Sequence, residues 1–111
     1  MNNVTLFGRI EEEPQLLGMP GRDVFEFWLC MRPRNERHVQ QVKVVAFREL
    51  ALRCSKHLSK GDQVGVTGHL RSEAMPSQSS RRRMFVHSVI ARQVDFVDSA
   101  AAGPEDGEGS R

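Results

Sequence analysis

Three consecutive arginines, Arg81 to Arg83, close a Ser/Gln-rich stretch that Arg71 opens, and Arg32, Arg34 and Arg37 crowd a second polar segment. Guanidinium groups break no bonds. They hold phosphates or carboxylates with two parallel N–H donors, and they lie flat on aromatic faces. Lys43 precedes Phe47 by four residues, and Trp28 is the one tryptophan of the chain. An exposed ring beside an ammonium suits a partner that has both a π face and negative charge. The plainer readings stand beside these: a solvated charge run for the arginines, and burial against the next element for Phe47.

Residue types that would support catalysis are present but not arranged for it. His38, His57, His69 and His87 are scattered, with no HxH or HxxxH ligand spacing. Glu11 to Glu13 form an acidic run without the alternation that a calcium loop needs. The glycines occur singly, so no phosphate-cradling loop forms, and Ser55 lacks the glycines of a nucleophile elbow. Cys30 and Cys54 make no CxxC pair and read as two buried, reduced thiols. These absences point to a binding protein rather than an enzyme, with no cofactor and no metal.

The charge is unevenly spread. The 111 residues carry a net +2, yet residues 98–111 hold four acids and one arginine, so residues 1–97 carry +5. A basic body with an acidic, Gly/Ala-rich end suggests a polyanionic partner for the body and a disordered tail over 98–111. The length allows one hydrophobic core, and such small domains often oligomerise. No run of eighteen apolar residues exists, and the first residues show no basic and apolar leader, so a cytoplasmic protein without a membrane partner is expected.

The elements that position these residues are mostly strands. Alternation over 3–10 puts Val4, Leu6 and Ile10 on one face and Thr5, Phe7 and Arg9 on the other. Residues 11–23 read as a long connection, with turn signals at Pro14, Gly18, Pro20 and Gly21. Over 24–32, Phe25, Phe27, Leu29 and Met31 turn inward while Glu26, Trp28 and Cys30 face outward. Over 38–47, Val42, Val44 and Ala46 turn inward, leaving Gln41, Lys43, Val45 and Phe47 outside. Leu50, Ala51, Cys54 and Leu58 then form one helical stripe, Lys56, His57 and Lys60 suit its carbonyl end, and Gly61 is expected to cap it. Strands over 63–70 and 84–97 follow, joined by RSEAMPSQSSRRR. Gly8, Gly65 and Gly68 read as barrel bends or close-packing points. Five strands with one short helix between the third and fourth make an all-β Greek-key barrel, the OB-fold, whose face and long loops hold extended ligands such as single strands.

Four blocks in this order resemble one family: NNVTLFGRI with EPQL, VVAFRELA, HLSKGDQVGVTGHLR and VHSVIARQVDFV. They look like the bacterial single-stranded DNA-binding proteins, over residues 2–97. The resemblance implies an OB-fold paired through its first strand into dimers or tetramers, with single-stranded DNA running over the second and third strands. It also puts the 2–3 and 4–5 loops on the path, and so favours contacts from Arg32, Arg34, Arg37, Arg71, Arg81, Arg82 and Arg83, with Lys43 between them. Of the family's aromatic stacking positions, Phe47 keeps one, while Gln41 and Met75 occupy two that usually hold tryptophan. Stacking contributes about 1–3 kcal/mol per base, so electrostatics must carry more of the affinity here. The end PEDGEGSR has the acids of the family's C-terminal tip but no Pro-Phe anchor, which puts recruitment of replication or repair proteins in question.

Two other functions fit the same residues. One is an accessory protein like primosomal replication protein B, which would bind DNA weakly and dock on a helicase or another single-strand binder. The other is an oligomeric scaffold whose barrel face binds protein. Trp28 keeps three readings: a stacking platform, a subunit contact, or core if the strand's face assignment is shifted by one residue.

Overall fold

The computed structural model describes residues 1–32, 34, 37–75 and 84–98. In chain order the elements are β1 (Val4–Ile10), β2 (Gln15–Met19), β3 (Arg22–Met31), β4 (Gln40–Phe47), α1 (Arg48–His57), β5 (Gln63–Met75) and β6 (Met84–Asp98). The sheet runs β1-β5-β6-β4-β3-β2 and closes on itself where Arg9 and Ile10 of β1 pair with Cys30 and Leu29 of β3. All pairings are antiparallel except β4 with β6. Five strands therefore form the ring of an OB-fold barrel, and β2 is a flap on the outer edge of β3.

The flap is the chief departure from the sequence reading, which made 11–23 a connection. Pro20 and Gly21 turn the chain between Met19 and Arg22, which pair across the hairpin, and Gly21 takes a left-handed φ of 84°. The turn signals were real, but they marked a hairpin tip. The next boundaries also move. β4 begins at Gln40 rather than 38, while β5 runs on to Met75, so Arg71 and Met75 lie on a strand and not in a loop. β6 continues through Asp98, one residue past the expected end. The arginines Arg81–Arg83 and the tail from 99 onward lie outside the described residues.

Alternation fills the barrel as expected except at Met31, which is only half-buried and lines the cleft between β1 and β3 instead of joining the core. Phe25, Phe27 and Leu29 of β3, Val44 and Ala46 of β4, Val64 and Val66 of β5 and Val89 of β6 are buried together. Each of these Phe, Leu and Val side chains contributes roughly 1.5–3 kcal/mol by leaving water. Ala51 and Cys54 of α1 and Leu58 just after it join the same cluster and plug one end of the barrel, with Leu50 packed partly against it. Cys30 and Val45 point outward but are still buried. Both cysteines are buried free thiols.

Gly61 does not cap α1. The cap is Leu58, extended, whose N–H donates to the Cys54 carbonyl at 2.8 Å. Gly61 instead takes φ 102° in the following turn, and its N–H donates to the Ile10 carbonyl at 2.7 Å. Asp62 holds that turn: its carboxylate accepts the Ser59 N–H at 3.0 Å, and its carbonyl accepts the Ile10 N–H at 2.9 Å. The Lys-Gly-Asp turn is thereby tied to the end of β1. Gly8 packs close, since a Cβ there would lie 2.5 Å from the Cys30 carbonyl oxygen. At Gly68, beside a register shift, a Cβ would strike the Ile90 carbonyl, whereas one at Gly65 would meet only ordinary contacts. Gly65 is thus no close-packing point.

Candidate nucleic-acid interface

The outward residues of four strands line up across one face. Trp28 stands opposite Lys43, Lys43 opposite Ser88, and Ser88 opposite Arg71. At about 4.8 Å between strands, this row crosses β3, β4, β6 and β5 in roughly 14 Å. Lys43 and Arg71 share it with the tryptophan because strand period and register put them there. Phe47, at the end of β4, is 37% exposed, and the Arg71 guanidinium lies over its ring at 5.9 Å from the centroid. The reading of Phe47 as buried against the helix start does not hold.

Trp28 is 43% exposed, which removes its core reading and leaves stacking or a subunit contact. A small recess beside it is lined by Glu12, Glu13, Gln15, Glu26 and Phe27. Gln41 faces outward opposite Cys30 and is exposed. Met75 pairs with Met84 where the β5–β6 arm leaves the barrel, and both are more than half exposed, as is Phe85 beside them. Arg34 and Arg37 are exposed in the segment between β3 and β4.

Arg32 is differently placed. Its Nη2 donates to Glu11 Oε1 at 2.8 Å and its Nε to Oε2 at 3.1 Å, a two-pronged pair at the mouth of a cleft of about 480 Å³ between β1 and β3. The Arg32 hydrogen bonds hold the Glu11 carboxyl below the usual carboxylate range, against the opposing effect of desolvation. Lys43 pairs with Glu26 at 3.4 Å, and Arg71 Nη2 meets Glu73 at 2.7 Å. Sequence reasoning assigned none of these three glutamates to the site, although it named Glu11 in an acidic run and turned Glu26 outward. Glu73 is two residues beyond Arg71, but that spacing implies a shared face only on a strand, and the sequence reads as a loop there. Nothing local paired Glu11 with Arg32, twenty-one residues on.

Arg48 was also missed as a special position. It is the only non-glycine residue among those described with a positive φ, 57°, and it lies where β4 turns into α1 beside Phe47. Among the described residues no cluster of His, Cys, Asp and Glu could hold a metal ion, and no helix is long and apolar enough to cross a membrane.

Residues 1–97 match the sequence model of the single-strand binding protein family. The chain belongs to that family. It is 32% identical over 104 residues to single-stranded DNA-binding protein 2 of Staphylococcus aureus strain COL, covering 88% of this chain and 74% of that protein. Its fold is that of a small single-stranded DNA-binding protein from Streptomyces coelicolor, with a TM-score of 0.72, 20% identity and coverage of 91% and 96% of the two chains. The Plasmodium falciparum SSB, solved in complex with ssDNA, superposes with a TM-score of 0.70 at 23% identity, over 88% and 96%. Family membership confirms the resemblance read from the four sequence blocks, and it makes this a binding protein rather than an enzyme.

Proposed function

We propose that this chain binds single-stranded DNA without regard to sequence, in replication, repair or recombination. The observation that carries the reading is the row Trp28, Lys43, Ser88, Arg71 with Phe47 at its edge, on one exposed barrel face of a single-strand binding family member. Phe47 and Trp28 offer π faces to bases, and any base stacks on them. Lys43 and Arg71 meet phosphates between them, Gln41 adds an amide at the edge, and Met75 gives an apolar, polarisable contact in place of a ring. Arg32, Arg34 and Arg37 follow the backbone where it leaves the barrel, and Arg81, Arg82 and Arg83, which lie outside the described residues, are proposed to add phosphate contacts. The binding unit ends with β6 at Asp98 rather than at 97, and the acid-rich sequence over 99–111 is proposed as a tail that does not belong to it. The protein works in the cytoplasm, at the nucleoid.

The same reading makes the protein a homodimer or homotetramer. β1 pairs with β5 along Val4–Arg9, but on its other side only Arg9 and Ile10 meet β3. Among the described residues, the edge over 4–8 therefore presents unpaired backbone groups next to exposed Phe7. A second β1 fits that edge and removes its liability to aggregate.

Competition tests the function. A labelled oligo-dT bound to the protein should resist a large excess of duplex and yield to unlabelled oligo-dT. Equal displacement by both would show charge-driven binding to any nucleic acid. Binding that needs a helicase or another single-strand binder to be seen would favour the accessory role instead.

A further inference from the structure

Three side-chain ion pairs occur among the described residues, and each takes its cation from the proposed path: Arg32 with Glu11, Lys43 with Glu26, and Arg71 with Glu73. Side-chain exposure in these pairs runs from 26% to 61%. Ion pairs so open to water add little to folding. Their placement is what stands out. Glu26 is one same-face step along β3 from Trp28, the cross-strand neighbour of Lys43. Glu73 is one same-face step along β5 from Arg71. Glu11 gives Arg32 two parallel oxygens, the arrangement a phosphate would offer.

We propose that Glu26 and Glu73, together with Glu11, are built-in competitors for phosphate that set how tightly a strand is held. The inference rests on the single-strand reading above. With no strand bound, the carboxylates occupy the cations of the path. An arriving phosphate must take each cation over, and the displaced carboxylate stays within reach and repels it. Each carboxylate also lowers by one the positive charge that the strand meets, and with it the counterions that binding releases. The protein thus trades affinity for ready release and leaves its arginine-rich segments to supply most of the salt dependence.

The test is anisotropy of labelled oligo-dT across a salt series for wild type, Glu26→Gln, Glu73→Gln and the double variant. Asp95→Asn serves as a control, because Asp95 bonds Gln93 on a different part of β6 and removes the same charge. Glu73→Ala guards against the new amide holding Arg71 in place of the carboxylate. Each path variant should tighten binding about 2- to 5-fold at low salt, as expected for freeing one exposed pair. Each should also steepen the slope of log K against log[salt] by about 0.7. Unchanged affinity and slope in the double variant would overturn the inference, as would equal tightening by Asp95→Asn, which would make net charge the whole cause. Wild type that binds while its variants match it sinks this inference alone. Wild type that fails to bind oligo-dT at low salt overturns the proposed function as well.

Discussion

Arg71 reaches from β5 across β6 to lie over the ring of Phe47 on β4, 5.9 Å from its centroid. Ser88, the buried residue of β6 opposite both Arg71 and Lys43, lies between the two cations in the sheet register. A guanidinium over a ring is attracted by the ring's quadrupole. It also covers one side of a surface that a base would use, so a bound base either takes the free side or moves the arginine.

Phe47→Ala should therefore weaken oligo-dT binding by about 1–3 kcal/mol, roughly 5- to 150-fold in Kd. Arg71→Ala should weaken it less and reduce the salt slope. Neither change should disturb folding much, since both side chains are partly in water. Anisotropy with a parallel thermal melt checks this. A full-affinity Phe47→Ala protein would remove Phe47 from the path.

Arg48 holds a left-handed backbone that costs a residue with a Cβ about 1–2 kcal/mol. Arg48→Gly should relieve that strain and Arg48→Ala should not. The two variants should differ by about 1 kcal/mol in denaturant unfolding, with glycine the more stable. This reverses the usual order inside a helix, where glycine is worse than alanine. Equal stability would mean that the strain is absent in solution.

Gly8 sits where β1 closes the barrel against β3. Gly8→Ala would press its methyl onto the Cys30 carbonyl oxygen, at 2.5 Å, and onto Leu29 Cγ at 3.0 Å. Overpacking of this kind costs about 1–3 kcal/mol. A lower denaturation midpoint and faster amide exchange at Ile10 are expected, because that N–H bonds Asp62 next to the strained contact. An unchanged midpoint would show that the ring opens there at little cost.

Burial pushes the Cys54 thiol up to about 11, and burial with Glu11 beside it also raises Cys30. A thiol raised in the folded state stabilises the protein fully below its unfolded pKa, and that contribution is lost as pH climbs through the folded value. Stability should accordingly fall between about pH 9 and 11. Cys54→Ala should start lower, because it leaves a void, and lose less over that window. Urea midpoints at pH 7, 9 and 11 measure it. An identical alkaline loss in the variant would clear Cys54 of the effect.

Much of this barrel is legible in the sequence because alternation in a half-buried strand is a strong local signal. Phe25, Phe27, Leu29, Val44 and Ala46 turned inward as their spacing required, and Trp28, Lys43 and Phe47 turned outward. β2 escaped because Gly18, Pro20 and Gly21 read as loop until Met19 is seen opposite Arg22. β5 was cut short at Leu70 because exposed Arg71, Ser72 and Glu73 carry no alternation, and pairing with β6 alone keeps them extended. A glycine after a helical stripe usually caps the helix, yet α1 ends three residues before Gly61, in an extended Leu58. The ion pairs of the site were least legible. Arg32–Glu11 and Lys43–Glu26 depend on which strands are neighbours, which is not written in local pattern, and Arg71–Glu73 depends on a stretch of β5 that only its pairing with β6 reveals.

The most direct test of single-strand binding is a titration with long oligo-dT over a range of salt, following strand anisotropy and Trp28 fluorescence together. If about five phosphates are neutralised, log K should fall against log[salt] with a slope near −3.5, at about −0.7 per phosphate. Quenching of Trp28 in step with binding would put its exposed ring on the path. Binding without quenching would keep the function and assign Trp28 to a subunit contact. No binding at low salt, or a slope near zero, would contradict the account.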